Sequence, residues 1–355
     1  MNSESIFLIR NKNGFEKKAL EIFRFQADKN PVYKKFVEQL GVNAGTVKTI
    51  AQIPFLPIEF FKTQKIMTGG SMELGDASKN ISSSFLTPHS SLFLSSGTTG
   101  MERSKHYVSD VTLYEKSFQK CFKIFYGDVK QYAILALLPS YYENKNSSLM
   151  YMVMDLIRRS NNKYSSFYNS KDENILQLLQ TLIHKKQKTI LFGVSFALLD
   201  LPPLSLSAKK DGIRIPSEGR GVGGEVAVIE TGGMKGRREE ITREELHKAL
   251  CSKFGVKKIH SEYGMTELLS QAYSKGDGIF HSPPWMKVMV RDINDPFTFL
   301  SPGKSGALNI IDLANINSCA FIATQDVGRI HKNGTFEVLG RMDNSDLRGC
   351  NLLAT

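Results

Sequence analysis

The sequence predicts an α/β fold of layered sheets flanked by helices, with a small β-rich subdomain near its C-terminal end. Three observations predict it. From residue 92 onward, short apolar runs of strand length alternate with helical periodicity. After about residue 285 the helical pattern gives way to short strands, punctuated by Pro302-Gly303 and Asn333-Gly334 turns. The chain also has 355 residues and is 41% hydrophobic, enough to bury a core of more than one domain.

The elements follow in order. Residues 14–28 and 31–40 read as amphipathic helices with Phe15, Ile22, Phe23, Phe36 and Leu40 toward the core, and Asn30-Pro31 supplies a cap followed by proline at the first helical position. Ile53-Pro54-Phe55-Leu56-Pro57 reads as an extended linker. Strands are expected at 92–94, 132–138 and 189–194, and helices at 111–125, 147–159 and 172–185. A strand at Glu225–Glu230 precedes a helix at Thr242–Phe254, whose Thr242 and Glu245 match a capping box. Lys257–His260 reads as a strand leading into Tyr263. Lys287–Arg291, Ala307–Ile311, Phe321–Ala323 and Thr335–Leu339 complete the β-rich portion. The expected organisation is a helical segment at 1–60, an α/β core at 61–284, the β-rich subdomain at 285–340 and a tail at 341–355.

Bulk composition excludes several classes. No run reaches the roughly 18 apolar residues of a membrane helix, and the N-terminus lacks a basic patch followed by an apolar stretch. The four cysteines, Cys121, Cys251, Cys319 and Cys350, form no CxxC pair, which argues against a disulfide framework and a structural zinc site. The cytoplasm is the expected compartment. Net charge is +11, but the basic residues are dispersed and no nucleic-acid-binding motif accompanies them.

Five stretches carry candidate chemistry. Ser95-Ser96-Gly97-Thr98-Thr99-Gly100 follows an apolar run, and its backbone N–H groups and hydroxyls suit a phosphate, with Arg103, Lys105 and His106 downstream. An ordinary turn has the same composition, and Walker spacing is missing. Tyr263-Gly264-Met265-Thr266-Glu267 combines an aromatic face, a tight turn, a hydroxyl and a carboxylate. Those groups suit a base, a phosphate and Mg²⁺, or equally a tyrosine corner beside a helix cap. Asp326, expected on a turn between strands, and the Arg341/Asp343 pair suit ribose and phosphate or a plain surface turn. Thr231-Gly232-Gly233 lies between a strand and a helix, where bare backbone lines pockets.

Two look-alikes fail. Gly219–Gly224 spells GxGxxG but precedes a strand and opens no helix. Gly193-Val194-Ser195 lacks the closing glycine of a nucleophile elbow, and the seven histidines form no HExxH.

Taken in order, Ser96–Gly100, Tyr263–Glu267, Gln325-Asp326 and Gly340–Asp343 resemble the adenylate-forming acyl ligases. The resemblance covers essentially the whole chain. Within that superfamily the sequence is similar to the phenylacetate–CoA ligase branch, and to the acyl-protein synthetases (long-chain-fatty-acid–protein ligases) of bacterial luminescence. Ile53–Pro57, Leu138-Pro139-Ser140-Tyr141 and Arg348-Gly349-Cys350-Asn351 carry the closer similarity. The resemblance implies ATP and Mg²⁺ as cofactors. Ser96, Gly97, Thr98, Thr99 and Gly100 would wrap the triphosphate, and Tyr263, beside Gly264, would stack on adenine. Thr266 would meet the α-phosphate and Glu267 the metal. Asp326 and Arg341 would hold the ribose, and Gly232 and Gly233 would border the adenine and acyl pocket.

Two departures stand out. Arg103 occupies the loop where many relatives place a lysine. The sequence ends shortly after Gly340–Asp343, so the small mobile C-terminal domain and its lysine are expected to be absent, with Lys105, Lys235, Arg237 and Arg329 as alternative cations. The resemblance makes Cys350 an acyl acceptor. The expected activity is ATP-dependent activation of a carboxylic acid, a fatty acid by the resemblance, with transfer to the Cys350 thiol. Transfer to coenzyme A or a carrier-protein pantetheine is the rival, and an inactive nucleotide-binding partner is the alternative from another class. Expected partners are the acid, an acyl carrier protein, coenzyme A or a reductase, and a second copy of the chain; nucleic acid is not among them.

Overall fold

The structure, a computed structural model, describes residues 3–69, 90–96, 102–139, 146–170, 174–204, 225–232 and 241–342. Gly97–Gly100, Ser140-Tyr141, Gly219–Gly224, Gly233, Lys235, Arg237, Asp343 and Cys350 lie outside them. In chain order the principal elements are α1 (Lys12–Lys29), α2 (Pro31–Gln39), β1 (Leu56–Pro57), α3 (Phe60–Thr63), β2 (Ser91–Leu94), β3 (Lys105–Val108), α4 (Val111–Tyr126), β4 (Ala133–Leu137), α5 (Ser148–Ser160) and β5 (Ser166–Phe167). They continue with α6 (Asn174–His184), β6 (Thr189–Val194), α7 (Ser195–Asp200), β7 (Val226–Thr231), α8 (Arg243–Phe254), β8 (His260–Tyr263), β9 (Ala272–Ser274), β10 (Phe280–His281), β11 (Met286–Arg291), β12 (Ser305–Asp312), β13 (Phe321–Ile330) and β14 (Phe336–Arg341).

The chain divides into two compact units. One comprises Met1–Leu92, Ser104–Leu113 and His281–Thr355; the other comprises Phe93–Arg103 and Tyr114–Phe280.

In the first unit β11, β12, β13 and β14 pair antiparallel in sequence order. β1 pairs parallel with β13, Leu56 against Ile322. The proline-rich stretch expected as a linker is therefore part of a ladder. Proline is tolerated because Ile58 N–H, not Pro57, donates to Ala323 O (3.0 Å). Helix α1 begins where the Asn11 carboxamide accepts from Gly14 N–H at 2.9 Å. It buries Phe15, Ala19, Ile22, Phe23 and Gln26, spaced as one helical face. Gln26 Nε2 donates to Asn315 O and Ile316 O at 2.9 Å, and its Oε1 accepts from Ala320 N–H at 3.0 Å. Asn30 stops α1 and caps α2, and its Nδ2 donates to Ser318 O. Two buried amides thus tie the helices to the β12–β13 connection, beside a Phe23–Tyr33–Phe321 ring cluster.

In the second unit β5, β4, β6, β7 and β8 are parallel neighbours in that order, and β9 returns antiparallel to β8. Every residue of β4 and β6 is buried, as expected for parallel strands covered on both faces. Helix α8 starts on the capping box foreseen at Thr242/Glu245 and ends on Gly255 in the left-handed region (φ 66°).

Two expectations change. Asp326 lies inside β13, opposite Arg341 of β14; the reversal occurs beyond it at Asn333-Gly334, where Gly334 N–H donates to His331 O. The polar run Thr324-Gln325-Asp326 reads as a turn locally, but ladder bonds hold it extended. Strand β8 runs through Tyr263 instead of ending at His260, because the polar side chains of Ser261 and Glu262 find partners described below.

Candidate active site

Parallel pairing fixes where functional side chains gather. With β4, β6, β7 and β8 running the same way, the residues that follow them all emerge along one edge of the second unit: Leu138, Ser195, Gly232 and Gly264. In open parallel sheets that carboxyl edge is where ligands bind.

The β8–β9 connection carries Gly264–Glu267. It is tight: Leu268 N–H donates to Met265 O at 3.1 Å, and Tyr263 pairs with Ala272 across the hairpin. Tyr263 is buried, with its ring edge-on to Phe280 at 5.9 Å between centroids. The Arg243 guanidinium sits 5.0 Å over the other participant, the Phe280 ring. Glu267 is buried and Thr266 half-buried. Gly232 adopts φ 69°, a left-handed conformation suited to glycine, and is exposed. Its carbonyl accepts from Ser195 Oγ at 2.5 Å.

Two buried carboxylates at this edge were not singled out in the sequence. Glu230 and Thr231 end β7; Ser261 and Glu262 stand opposite them on β8. Thr231 Oγ1 donates to Glu262 Oε2 at 2.5 Å. Burial pushes the Glu262 carboxyl up from its ordinary 4.5 to about 7; the Thr231 hydrogen bond opposes this and the Glu230 charge reinforces it. Glu230 faces Arg243 Nε at 3.6 Å and His247 Nε2 at 3.5 Å, and His247 Nε2 lies 3.2 Å from Ser261 Oγ. For Glu230 a carboxylate inside the largely apolar Val226–Thr231 was the sequence signal available; the polar His260–Tyr263 strand offers none for Glu262. Ser195 Oγ reaches Glu230 Oε2 at 3.3 Å and Gly232 O. The Ser195 hydroxyl thus links the end of β6 to the end of β7.

In the first unit Asp326 and Arg341 are register partners across β13 and β14. Arg341 Nη2 donates to Gln325 Oε1 at 3.4 Å, and Gln325 Nε2 donates to Glu59 Oε1 at 2.6 Å. Buried Arg291 ties β12 to β13 two residues before Asp326, donating to Leu308 O, Asn309 Oδ1 and Thr324 O at 2.8–3.0 Å. The nearby residue Arg329 donates from Nε to Ser305 Oγ at 3.4 Å.

The structure therefore brings Gly232, Tyr263, Gly264, Thr266 and Glu267 together at one strand edge, and Asp326 with Arg341 in the other unit. Ser96 and Arg103 are exposed on either side of Gly97–Gly100, and Lys105 is half-buried in β3.

Comparison with solved structures gives the fold. A 2-hydroxyisobutyryl-CoA ligase in the postadenylation state, in complex with 2-HIB-AMP, superposes with a TM-score of 0.62 at 11% identity over 94% of this chain and 68% of that chain. An open conformation of that ligase with 2-HIB-AMP and CoA gives 0.61 at 10% identity, over 94% and 75%. ATP-bound MatB from Rhodopseudomonas palustris gives 0.49 at 16% identity, over 70% of this chain; the chain spans 47% of the length of that protein. The fold is that of the adenylate-forming ligases. No curated protein matches the sequence. Residues 9–354, nearly the whole length, match the family described as acyl-protein synthetase, LuxE, and the chain is a member of that family.

Proposed function

We propose that this chain activates a carboxylic acid, of the fatty class, as an acyl-adenylate and passes the acyl group to a thiol, that of Cys350. The observation that carries this reading is the clustering of Gly232 and Tyr263–Glu267 at the carboxyl edge of a parallel sheet in a member of the acyl-protein synthetase family.

In the first half-reaction a carboxylate oxygen bonds to the α-phosphorus of ATP while the bond to the bridging oxygen breaks, releasing pyrophosphate. The acid is already ionised at neutral pH, so no general base is required. Exposed Gly232 and Gly264 leave backbone open for close approach, and Asp326 with Arg341 would take the ribose hydroxyls. Arg103 and the Ser96–Gly100 loop would offset charge growing on the phosphate. The donor set also suits Mg²⁺. Glu267 is a buried carboxylate that directly follows Thr266 in the chain. One carboxylate completed by substrate phosphates and water is what Mg²⁺ takes, and the ion would supply further charge neutralisation.

In the second half-reaction the thiolate sulfur bonds to the acyl carbon and the bond to AMP breaks, leaving a thioester. The test is intact-mass measurement after incubation with ATP, Mg²⁺ and a panel of fatty and aryl acids. A hydroxylamine-sensitive acyl adduct absent from Cys350→Ala supports the reading. AMP and pyrophosphate without an adduct moves the acceptor to coenzyme A or a carrier pantetheine. ATP binding without turnover on any acid overturns the enzymatic reading.

A further inference from the structure

The first unit holds an open, cleft-like cavity of about 330 Å³, lined by residues of the α1 start, the 281–284 segment, β11 and the β13–β14 turn. None of them is among the candidate residues for nucleotide, metal or acyl binding. We propose that it binds a small organic anion: a phosphate or carboxylate carried on an apolar body.

Charge makes the first argument. Arg10, Lys12 and Lys287 all line the cavity. Lys287 is half-buried on β11 and makes no hydrogen bond or ion pair among the described residues; its nearest favourable contact is the Phe15 ring, 5.9 Å from Nζ to centroid. Lys12 repels it, and Glu16, a carboxylate that favours its charge, stands 3.9 Å from Lys12. A partly desolvated ammonium next to a second ammonium costs folding free energy. An incoming anion would offset that cost.

Hydrogen-bonding capacity makes the second. Ser282 lines the cavity, and its buried Oγ has no hydrogen-bond partner among the described residues. Buried hydroxyls are normally satisfied, so a ligand oxygen would complete this one. The 18-residue helix α1 also starts at this cavity, through Asn11 and Lys12, so its positive end adds to the field. Phe15, Met286, Val288 and Ile330 add apolar wall, with His281, Asn333 and Thr335 among the polar lining. That apolar wall favours an anion with a hydrocarbon part over a bare oxyanion.

Calorimetric titration of the full chain with phenyl phosphate, benzoate and inorganic phosphate tests the proposal. Saturable binding of phenyl phosphate or benzoate is expected, at least tenfold tighter than inorganic phosphate. Lys287→Ala should weaken it at least tenfold, Lys287→Arg less than threefold, and Arg341→Ala not at all. A second readout is thermal: without ligand, Lys287→Met should melt above the parent chain, and phenyl phosphate should raise the melting temperature of the parent only. Absence of saturable binding, or loss with Arg341→Ala and not with Lys287→Ala, overturns the proposal. Equal affinity for inorganic phosphate overturns the apolar half of it.

Discussion

Thr231 Oγ1 and Glu262 Oε2 stand 2.5 Å apart on adjacent parallel strands, in register, at the edge where the candidate site forms. The bond holds a carboxyl that burial would rather keep neutral. With its folded value at about 7 against 4.5 for the free group, Glu262 binds more protons folded than unfolded between those limits. Its contribution is therefore fully present below about pH 4.5 and is lost as pH rises through about 7, a loss of ~3 kcal/mol at most. Glu262→Gln keeps an acceptor for Thr231 and removes the titration. Melting temperatures from pH 5 to 8 should show a flatter profile for the variant and a higher value than the parent at pH 8. Parallel profiles would mean that Glu262 titrates normally.

Gly264 explains why the same carboxyl matters to the turn. A Cβ there would lie 2.5 Å from Glu262 Oε1, closer than van der Waals contact allows. Gly264→Ala must displace a side chain already held by Thr231, at a cost of about 1–2 kcal/mol. In the Glu262→Ala background the same change should cost far less. A double-mutant cycle of urea denaturation measures the coupling; simple additivity would rule out the contact as the reason for glycine.

These two residues also mark the boundary of what sequence reveals. Elements built from local signals were legible: the Asn30-Pro31 cap, the Thr242/Glu245 capping box and the buried runs of β4 and β6 all lie where periodicity and capping chemistry put them. So was the family, because its motifs are short and ordered. Long-range pairing was not. Nothing local in Leu56-Pro57 announces a partner at Ile322-Ala323, and the polar composition of Gln325-Asp326 says turn until the neighbouring strands are present. Glu230 and Glu262 were passed over for a related reason. A carboxylate in a strand reads as a solvent-facing residue; only the fold shows that Arg243, His247 and Thr231 meet it from helix and strand.

Gly328 is a structural counterpart, two residues along β13 from Asp326. The β13–β14 register shifts between Val327 and Gly328, and a Cβ on Gly328 would collide with the Glu337 carbonyl and the Leu308 side chain. The colliding carbonyl belongs to the ladder and cannot swing aside, so Gly328→Ala should cost about 2–3 kcal/mol. Unlike Gly264→Ala, it should gain nothing from Glu262→Ala. Equilibrium unfolding of the three variants separates the cases, and a loss below about 0.5 kcal/mol would show that the strand can shift to admit the methyl group.

Arg341 offers the sharpest separation of stability from function. It is exposed at the end of β14, where among the described residues its guanidinium donates to Gln325 Oε1 at 3.4 Å; Gln325 is anchored independently by Glu59. Truncation to alanine should therefore leave the melting temperature within about 1–2 °C, since exposed substitutions without buried partners shift stability by ~0.5 kcal/mol or less. If Arg341 holds the nucleotide as proposed, the same change removes charged hydrogen bonds from the complex. About 1.5–3 kcal/mol is typical for such bonds, which corresponds to a roughly 10- to 100-fold rise in KM for ATP in acid-dependent pyrophosphate exchange. Asp326→Asn should act in the same direction, because the amide keeps the backbone pairing with Arg341 and one acceptor but loses the charge. A variant pair with unchanged KM and intact melting would remove both residues from the nucleotide site and confine that site to the strand edge around Tyr263 and Glu267.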